Sequence, residues 1–328
     1  MTAPRVSVVI PTYNRRDMLP RALDSVIRQT FHDWEIVLVD DGSTDGTSEL
    51  VGRYAQKLGP RLRYRYQSNT GCGGARNAGI DASRGALVAF LDADDEYLPR
   101  KLERQIALFE LRPELGLVYS DYAYIDTRGV RHASAADTLS PIARRVPHDV
   151  VAPGLCVCTG DLFPWLIRRY FVATIVGMVR RDVLGDTIRF AADPSYAAEW
   201  LFYLRVARAC RCGFVDEPLC LHHHVEGSAT RTDSHRNTVR LRKLLLDIRT
   251  TFRDVDPRSR RTIRRHLARA CRQLGYDAYR AGAYHEAVGR FAESWRYRPA
   301  AGTLADLADA AARWWTRKAT TLWRPASR

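Results

Sequence analysis

The stretch "FLDADDEYLP", residues 90–99, places Asp92, Asp94, Asp95 and Glu96 within five positions, directly behind the apolar run "GALVAF". A second acidic cluster, "DDGSTDGT" from Asp40 onward, follows the apolar "WEIVLV", and the polar "PTYN" follows "VSVVI". Like charges gathered at one spot repel, and a divalent cation is the usual compensation. Oxygen ligands with no His or Cys among them favour Mg2+ or Mn2+ over zinc. Each cluster also has a purely local reading. "DDGSTDG" has the chemistry of a capped turn before a helix, and "DADDEYLP" that of an acidic helix N-terminus, with Asp95 a helix cap or a supporting metal ligand.

The elements that must carry these clusters alternate. "VSVVI" (6–10) reads as a buried strand followed by a turn over "PTYNR", and "RDMLPRALDSVIRQT" spaces Met18, Leu19, Ala22, Leu23, Val26 and Ile27 on one helical face. A strand over 34–40, a capped helix from "DGSTDGTSELVGRYAQKL", a strand in "LRYRYQS", a helix from "GGARNAGIDAS" and a strand in "GALVAFLDADD" continue the rhythm. This predicts an α/β fold with a doubly wound, mostly parallel sheet flanked by helices, in which ligands bind at the carboxyl ends of the strands. All three polar clusters fall at such ends. Residues 128–165 read as a long irregular insertion, the kind of segment that shapes specificity, and "FVATIVGMV" (171–179) as a strand returning to the sheet, too short to span a bilayer.

Taken in order, "VSVVIPTYNR", "VLVDDGSTDGT", "GGARNAGI" and "FLDADDEYLP" closely resemble the nucleotide-binding half of family 2 glycosyltransferases, inverting enzymes of the GT-A fold; "DEPLCLHHHVEGSAT" extends the resemblance over residues 5–232. The resemblance implies a nucleotide-diphosphate sugar donor, with a UDP-sugar favoured. It places Pro11, Thr12 and Tyr13 at the nucleoside pocket, Asp41 under the base, Arg76 beside the pyrophosphate, Asp92 near the ribose and Asp94 on a metal bridging the phosphates. The family supplies its general base as an Asp in a pattern like "EDWDLWLRLA". This chain reads "AEWLFYLRVA", which puts Glu199 at the base position, one methylene longer than Asp; capping the helix is its alternative role, and Asp193 is a reserve base. Where many members carry a "YRxH"-like strand, this chain has His222, His223 and His224. One of the three would contact the metal or diphosphate, with His224 joining Asp94 and Asp92 as a candidate metal ligand. Adjacent strand residues face opposite ways, so at most two can share a site.

The 328 residues carry a formal net charge of +14 and are 46% hydrophobic, ample for a large core. Residues 1–235 hold 29 Lys and Arg against 29 Asp and Glu, whereas residues 236–328 hold 22 against 8. The expected division is therefore a GT-A catalytic domain over 1–235 and a basic helical region over 236–328. That region offers one tetratricopeptide-like helix pair ending at Pro299 and a terminal helix mixing Trp314, Trp315 and Trp323 with Arg and Lys. Such a helix suits an anionic membrane surface or a docking role against the fold. No long apolar span or signal-peptide pattern is visible, and seven scattered cysteines suggest reduced thiols, so a cytoplasmic protein, peripheral on the inner face of the membrane, is expected. The acceptor would be a glycan, a lipid-linked sugar or a protein. Two rivals are a non-catalytic nucleotide-sugar-binding module, suggested by the altered base motif, and a nucleic-acid-binding protein, for which only the basic tail speaks; no nucleic-acid partner is expected.

Overall fold

Runs of Val, Ile and Leu with no polar alternation belong to strands covered on both faces, and β1 (Val6–Thr12) and β2 (Trp34–Asp40) are buried along their whole length. In the computed structural model they open a βαβ series: α1 (Leu19–Ile27) lies between them, then come α2 (Thr47–Leu58), β3 (Leu62–Tyr66), α3 (Gly71–Ala82) and β4 (Leu87–Phe90). Strands β3, β2, β1 and β4 are parallel neighbours in that order. Their carboxyl ends, at Thr12, Asp40 and Phe90, therefore share one edge of the sheet. β1 runs two residues beyond the expected strand, so the turn begins at Tyr13, with Asn14 at φ 50°, a left-handed conformation that Asn tolerates.

The structure describes residues 3–191, 198–224 and 234–322. The second half of the sheet is mixed. After β5 (Glu96–Tyr97) and α4 (Lys101–Leu111) come β6 (Leu115–Ile125), β7 (Arg131–His132), α5 (Ala135–Thr138), β8 (His148–Ala152), β9 (Leu155–Cys158), α6 (Phe163–Arg168), β10 (Met178–Arg180), α7 (Arg181–Leu184), α8 (Ala198–Ala209) and β11 (Arg211–His223). β10 runs antiparallel between β4 and β6, and β11 lies parallel to β6. Two expectations need correction. Residues 128–165 are not irregular, because β8 and β9 form a hairpin that joins the sheet through β9 against β11. Within 171–179 only the end enters the sheet; Thr174–Val176 form a 3-10 turn.

Residues 3–191 with 198–224 make one compact unit, and 234–322 make another. The second unit is helical: α9 (Ser234–Thr251), α10 (Pro257–Arg280), α11 (Tyr284–Tyr297) and α12 (Ala301–Leu322). Asp256 caps α10 by accepting hydrogen bonds from the backbone of Arg258 and Ser259 at 2.8 and 3.0 Å, ahead of Pro257 in the first turn, where proline costs no hydrogen bond. Phe291 of α11 fills a core with Ala278, Ala287 and Ala310. Among the described residues no helix is long and apolar enough to cross a membrane, all seven cysteines are free, and Trp323 lies outside them.

Candidate active site

Three of the four acids of "DADDE" have separate side-chain partners. Asp92 Oδ1 accepts from Arg76 Nη2 at 2.7 Å. Asp95, fully buried, accepts from His222 Nδ1 at 2.9 Å and from the backbone N–H of His223 at 2.9 Å. Glu96 pairs with His223 Nε2 at 2.8 Å and lies 3.7 Å from Arg21 Nε. The Asp94 carboxylate alone of the four takes no hydrogen bond from another residue among the described residues; the Asp94 backbone carbonyl accepts from Arg21 Nη2 at 2.6 Å. Burial and the negative charge of Asp92 push the Asp94 carboxyl above its ordinary range, against the pull of His222 and Arg15. Asp95 is not a helix cap, since β5 and not a helix follows it; it orients His222. Burial raises Asp95 to about 6 against the opposing pull of His222. Burial would lower His222, but the hydrogen bond and charge of Asp95 prevail and hold it above the usual histidine range.

Arg76 is the hinge of the site. Its side chain is 4% exposed, and it spans from Asp92 to Glu199, with Nη1 to Oε1 at 2.8 Å. Glu199 stands in the first turn of α8, more than a hundred residues away in sequence, and packing explains how it arrives there. Phe202, one turn on, stacks on Phe190 with centroids 3.9 Å apart, and both meet Phe90, the last residue of β4, edge-on at 5.6 and 5.2 Å. The three rings fasten the start of α8 to the strand end that delivers Asp92. α3 brings Arg76 in from the other side. Asn77 exchanges hydrogen bonds with the backbone of Phe190 at 2.9 and 2.8 Å. A side chain at Gly73 would collide with the carbonyl of Ala191, and one at Gly79 with Val9 of β1, so "GGARNAG" uses glycine where the helix touches backbone and strand.

The residues that the resemblance assigns to a nucleoside gather at the same edge. Asp41, 3% exposed, accepts from the backbone N–H of Thr70 and Gly71 at 2.9 and 2.8 Å and from Gln67 Nε2 at 2.8 Å. Its carboxylate therefore ties down the entry to α3, a role that the resemblance to a base-binding residue does not convey. Pro11 and Thr12 are buried, the Thr12 hydroxyl has no partner among the described residues, and Tyr13 is 49% exposed. The loops after β1 and β2 are laced together by Asn14, whose backbone donates to Ser43 Oγ and whose side chain accepts from Thr44 N, at 2.9 and 2.8 Å. The His triplet alternates: His222 and His224 lie with ring centroids 5.0 Å apart, His224 stacks on Tyr124, and His223 turns to Glu96. Among the described residues no three of His, Cys, Asp and Glu cluster as a metal site, and Asp193 lies outside those residues. Sequence reasoning missed Arg21 and Phe190, for which no motif supplied a signal, Asn77, which stands within "GGARNAGI" without having been assigned a role, and the pairing of Asp95 with His222.

The description "Glycosyl transferase family 2" belongs to the family model that matches residues 7–171. An uncharacterized glycosyltransferase of Nostoc is 42% identical over 115 residues, 35% of this chain and 36% of that protein's own length. Among solved structures, residues 1–349 of S. aureus TarS in complex with UDP-GlcNAc superpose with a TM-score of 0.66 at 19% identity, covering 94% of this chain and 88% of that one. A mannosyltransferase of Pyrobaculum calidifontis in complex with GDP-Man and Mn2+ gives a TM-score of 0.56 at 20% identity, over 95% and 80% of the two chains. These structures show the shared GT-A fold, and with the motif order and the family match over half its length, the chain belongs to glycosyl transferase family 2.

Proposed function

We propose that the protein is a metal-dependent, inverting glycosyltransferase that moves a sugar from a nucleotide-diphosphate donor to an acceptor hydroxyl in the synthesis of a bacterial surface glycan or glycoconjugate, with residues 1–235 as catalytic domain. The observation that carries this reading is the three-residue bridge in which Arg76 holds Asp92 and Glu199 side by side. Arg76 takes one oxygen of Glu199, Oε1, and the other, Oε2, has no donor among the described residues. Glu199 then removes the proton of the acceptor hydroxyl as that oxygen attacks the anomeric carbon, while the bond from that carbon to the diphosphate oxygen breaks on the opposite face. Arg76 acts here as a positioning residue that fixes the base. The donor set fits a hard cation, because the carboxylate of Asp94, close enough to Asp92 to feel its charge, supplies oxygen only. Asp94 and Asp92 would hold Mn2+ or Mg2+, which when bound offsets the charge developing on the leaving diphosphate; His224 stays a candidate third ligand and Asp193 a reserve base.

A UDP-sugar is the favoured donor, with the TarS likeness in support, and Pro11, Thr12, Tyr13 and Asp41 would border its nucleoside. Action on the cytoplasmic side, with a membrane or a protein against the helical region, completes the proposal. The second reading, a nucleotide-sugar-binding module without turnover, is favoured by one observation: the base position is already engaged by Arg76. Release of nucleoside diphosphate from UDP-, GDP- and dTDP-sugars, with Mn2+ or Mg2+ and with chelator, separates the two. Metal-dependent release from one donor, lost in Asp94→Ala and Glu199→Gln, is expected. Donor binding by calorimetry without release, even with acceptors supplied, would favour the module.

A further inference from the structure

The excess positive charge of the helical unit has a focus. A cavity of about 940 Å³ opens between α9, α10 and α11, and Arg249, Arg253, Arg260, Arg264 and Arg296 all line it. The one acid in its wall, Glu293, is already paired, with Arg242 and with Arg290 Nη1 at 3.5 Å. None of the five lining arginines lies within ion-pair distance of a carboxylate among the described residues. Arg264 donates to the carbonyls of Tyr297 and Arg296 at 3.1 and 3.3 Å, and Arg260 to those of Arg253 and Val255 at 3.2 and 3.3 Å. These bonds fix the guanidinium groups in place without neutralising them.

Five uncompensated guanidinium groups around one concavity make a site for several oxyanions, since the planar fork matches carboxylate and phosphate. Shape and surface narrow the ligand. The volume is that of a pocket for a molecule of a few rings, not of a groove for a duplex or a face for a bilayer. Its floor residues Phe252, Val255 and Ile263 are buried, and the Tyr297 ring is covered by Arg249 at 5.6 Å, so no bare aromatic platform is offered to stacked bases.

We infer that this cavity binds a polyanionic oligosaccharide segment, holding the acceptor glycan by its charges and not by its reacting hydroxyl. Naming the ligand as acceptor rests on the transferase reading above; binding is measured apart from it. The test is fluorescence anisotropy of a labelled oligogalacturonate with the full chain, alongside Asp94→Ala and the double variant Arg253→Glu, Arg296→Glu. That double variant spares the scaffolding bonds made by Arg260 and Arg264. Circular dichroism shows whether it folds, and Arg253→Gln, Arg296→Gln is a milder replacement. Saturable binding, weakened on the order of a hundredfold by loss of two charge-assisted contacts, unchanged in Asp94→Ala and not competed by a neutral maltooligosaccharide, is expected. Equal binding by wild type and the folded arginine variants overturns the proposal. So does tighter binding of an oligonucleotide, an oligoglutamate or phosphatidylglycerol vesicles at matched charge. If oligogalacturonate binds as expected but no sugar nucleotide is turned over, the cavity stands and the transferase reading falls.

Discussion

A single guanidinium organises the candidate site: Arg76 is buried and pairs two carboxylates that would otherwise repel. Lysine at this position is a point charge that cannot span both. Arg76→Lys is therefore expected to destabilise the unit by about 2 kcal/mol, because one carboxylate loses its partner, and to lower kcat more than it raises KM for the donor, as melting and steady-state release would show. A different buried cation works against stability. Lys101 is fully buried, its ammonium lies 4.0 Å over the Tyr97 ring with no hydrogen-bond partner among the described residues, and burial lowers its pKa from 10.5 to about 8. The folded state thus gives up a proton that the unfolded chain keeps, so stability rises with pH between about 8 and 10.5 and the full penalty applies below that window. Lys101→Met should raise stability at neutral pH by on the order of 3 kcal/mol and flatten that rise in denaturant titrations across the window.

Two close approaches set the geometry of the elements. α3 lies against β1 so tightly that Gly79 has no room for a methyl group beside Val9. Gly79→Ala should cost about 1–3 kcal/mol through overpacking despite the better helix propensity of Ala, which a denaturant midpoint would reveal. On the other flank, Phe202 is the part of α8 that packs on Phe190 and Phe90. Phe202→Ala should lose about 3–5 kcal/mol and depress release more than donor binding, since it unfastens the helix that carries Glu199 while leaving the nucleoside side of the sheet edge intact. Equal losses in calorimetric donor affinity and in turnover would mean that the aromatic trio supports the whole unit and not the base in particular.

The chain as a whole is two units of different charge, and their separateness can be tested. Phe291 is 1% exposed and its ring contacts Gly275 of α10, where even a methyl group would be crowded. Phe291→Ala should remove about 3–5 kcal/mol from the helical unit, lowering one calorimetric transition while the nucleotide affinity of the α/β unit stays unchanged. A matching fall in nucleotide affinity would show that the two units do not fold as independent bodies.

Local signals were enough for much of this protein. The run of apolar strands, the glycines of α3 and the four ordered motifs identified the α/β sheet, the family and the sheet edge that gathers the candidate residues, because each depends on residues near one another in sequence. The four C-terminal helices were legible for the same reason, as periodic apolar faces. What only the tertiary structure decided depends on residues far apart: Phe90, Phe190 and Phe202 bring Glu199 to Asp92, and Arg76 joins the two. Likewise the β8–β9 hairpin was hidden, since its short strands have no pattern until β11 pairs with them. The resemblance already pointed to Asp94 as the metal residue among the four acids; what the fold adds is that Asp92, Asp95 and Glu96 have side-chain partners of their own, whereas the Asp94 carboxylate has no hydrogen bond from another residue among the described residues, because those partners come from α3 and β11, far away in sequence.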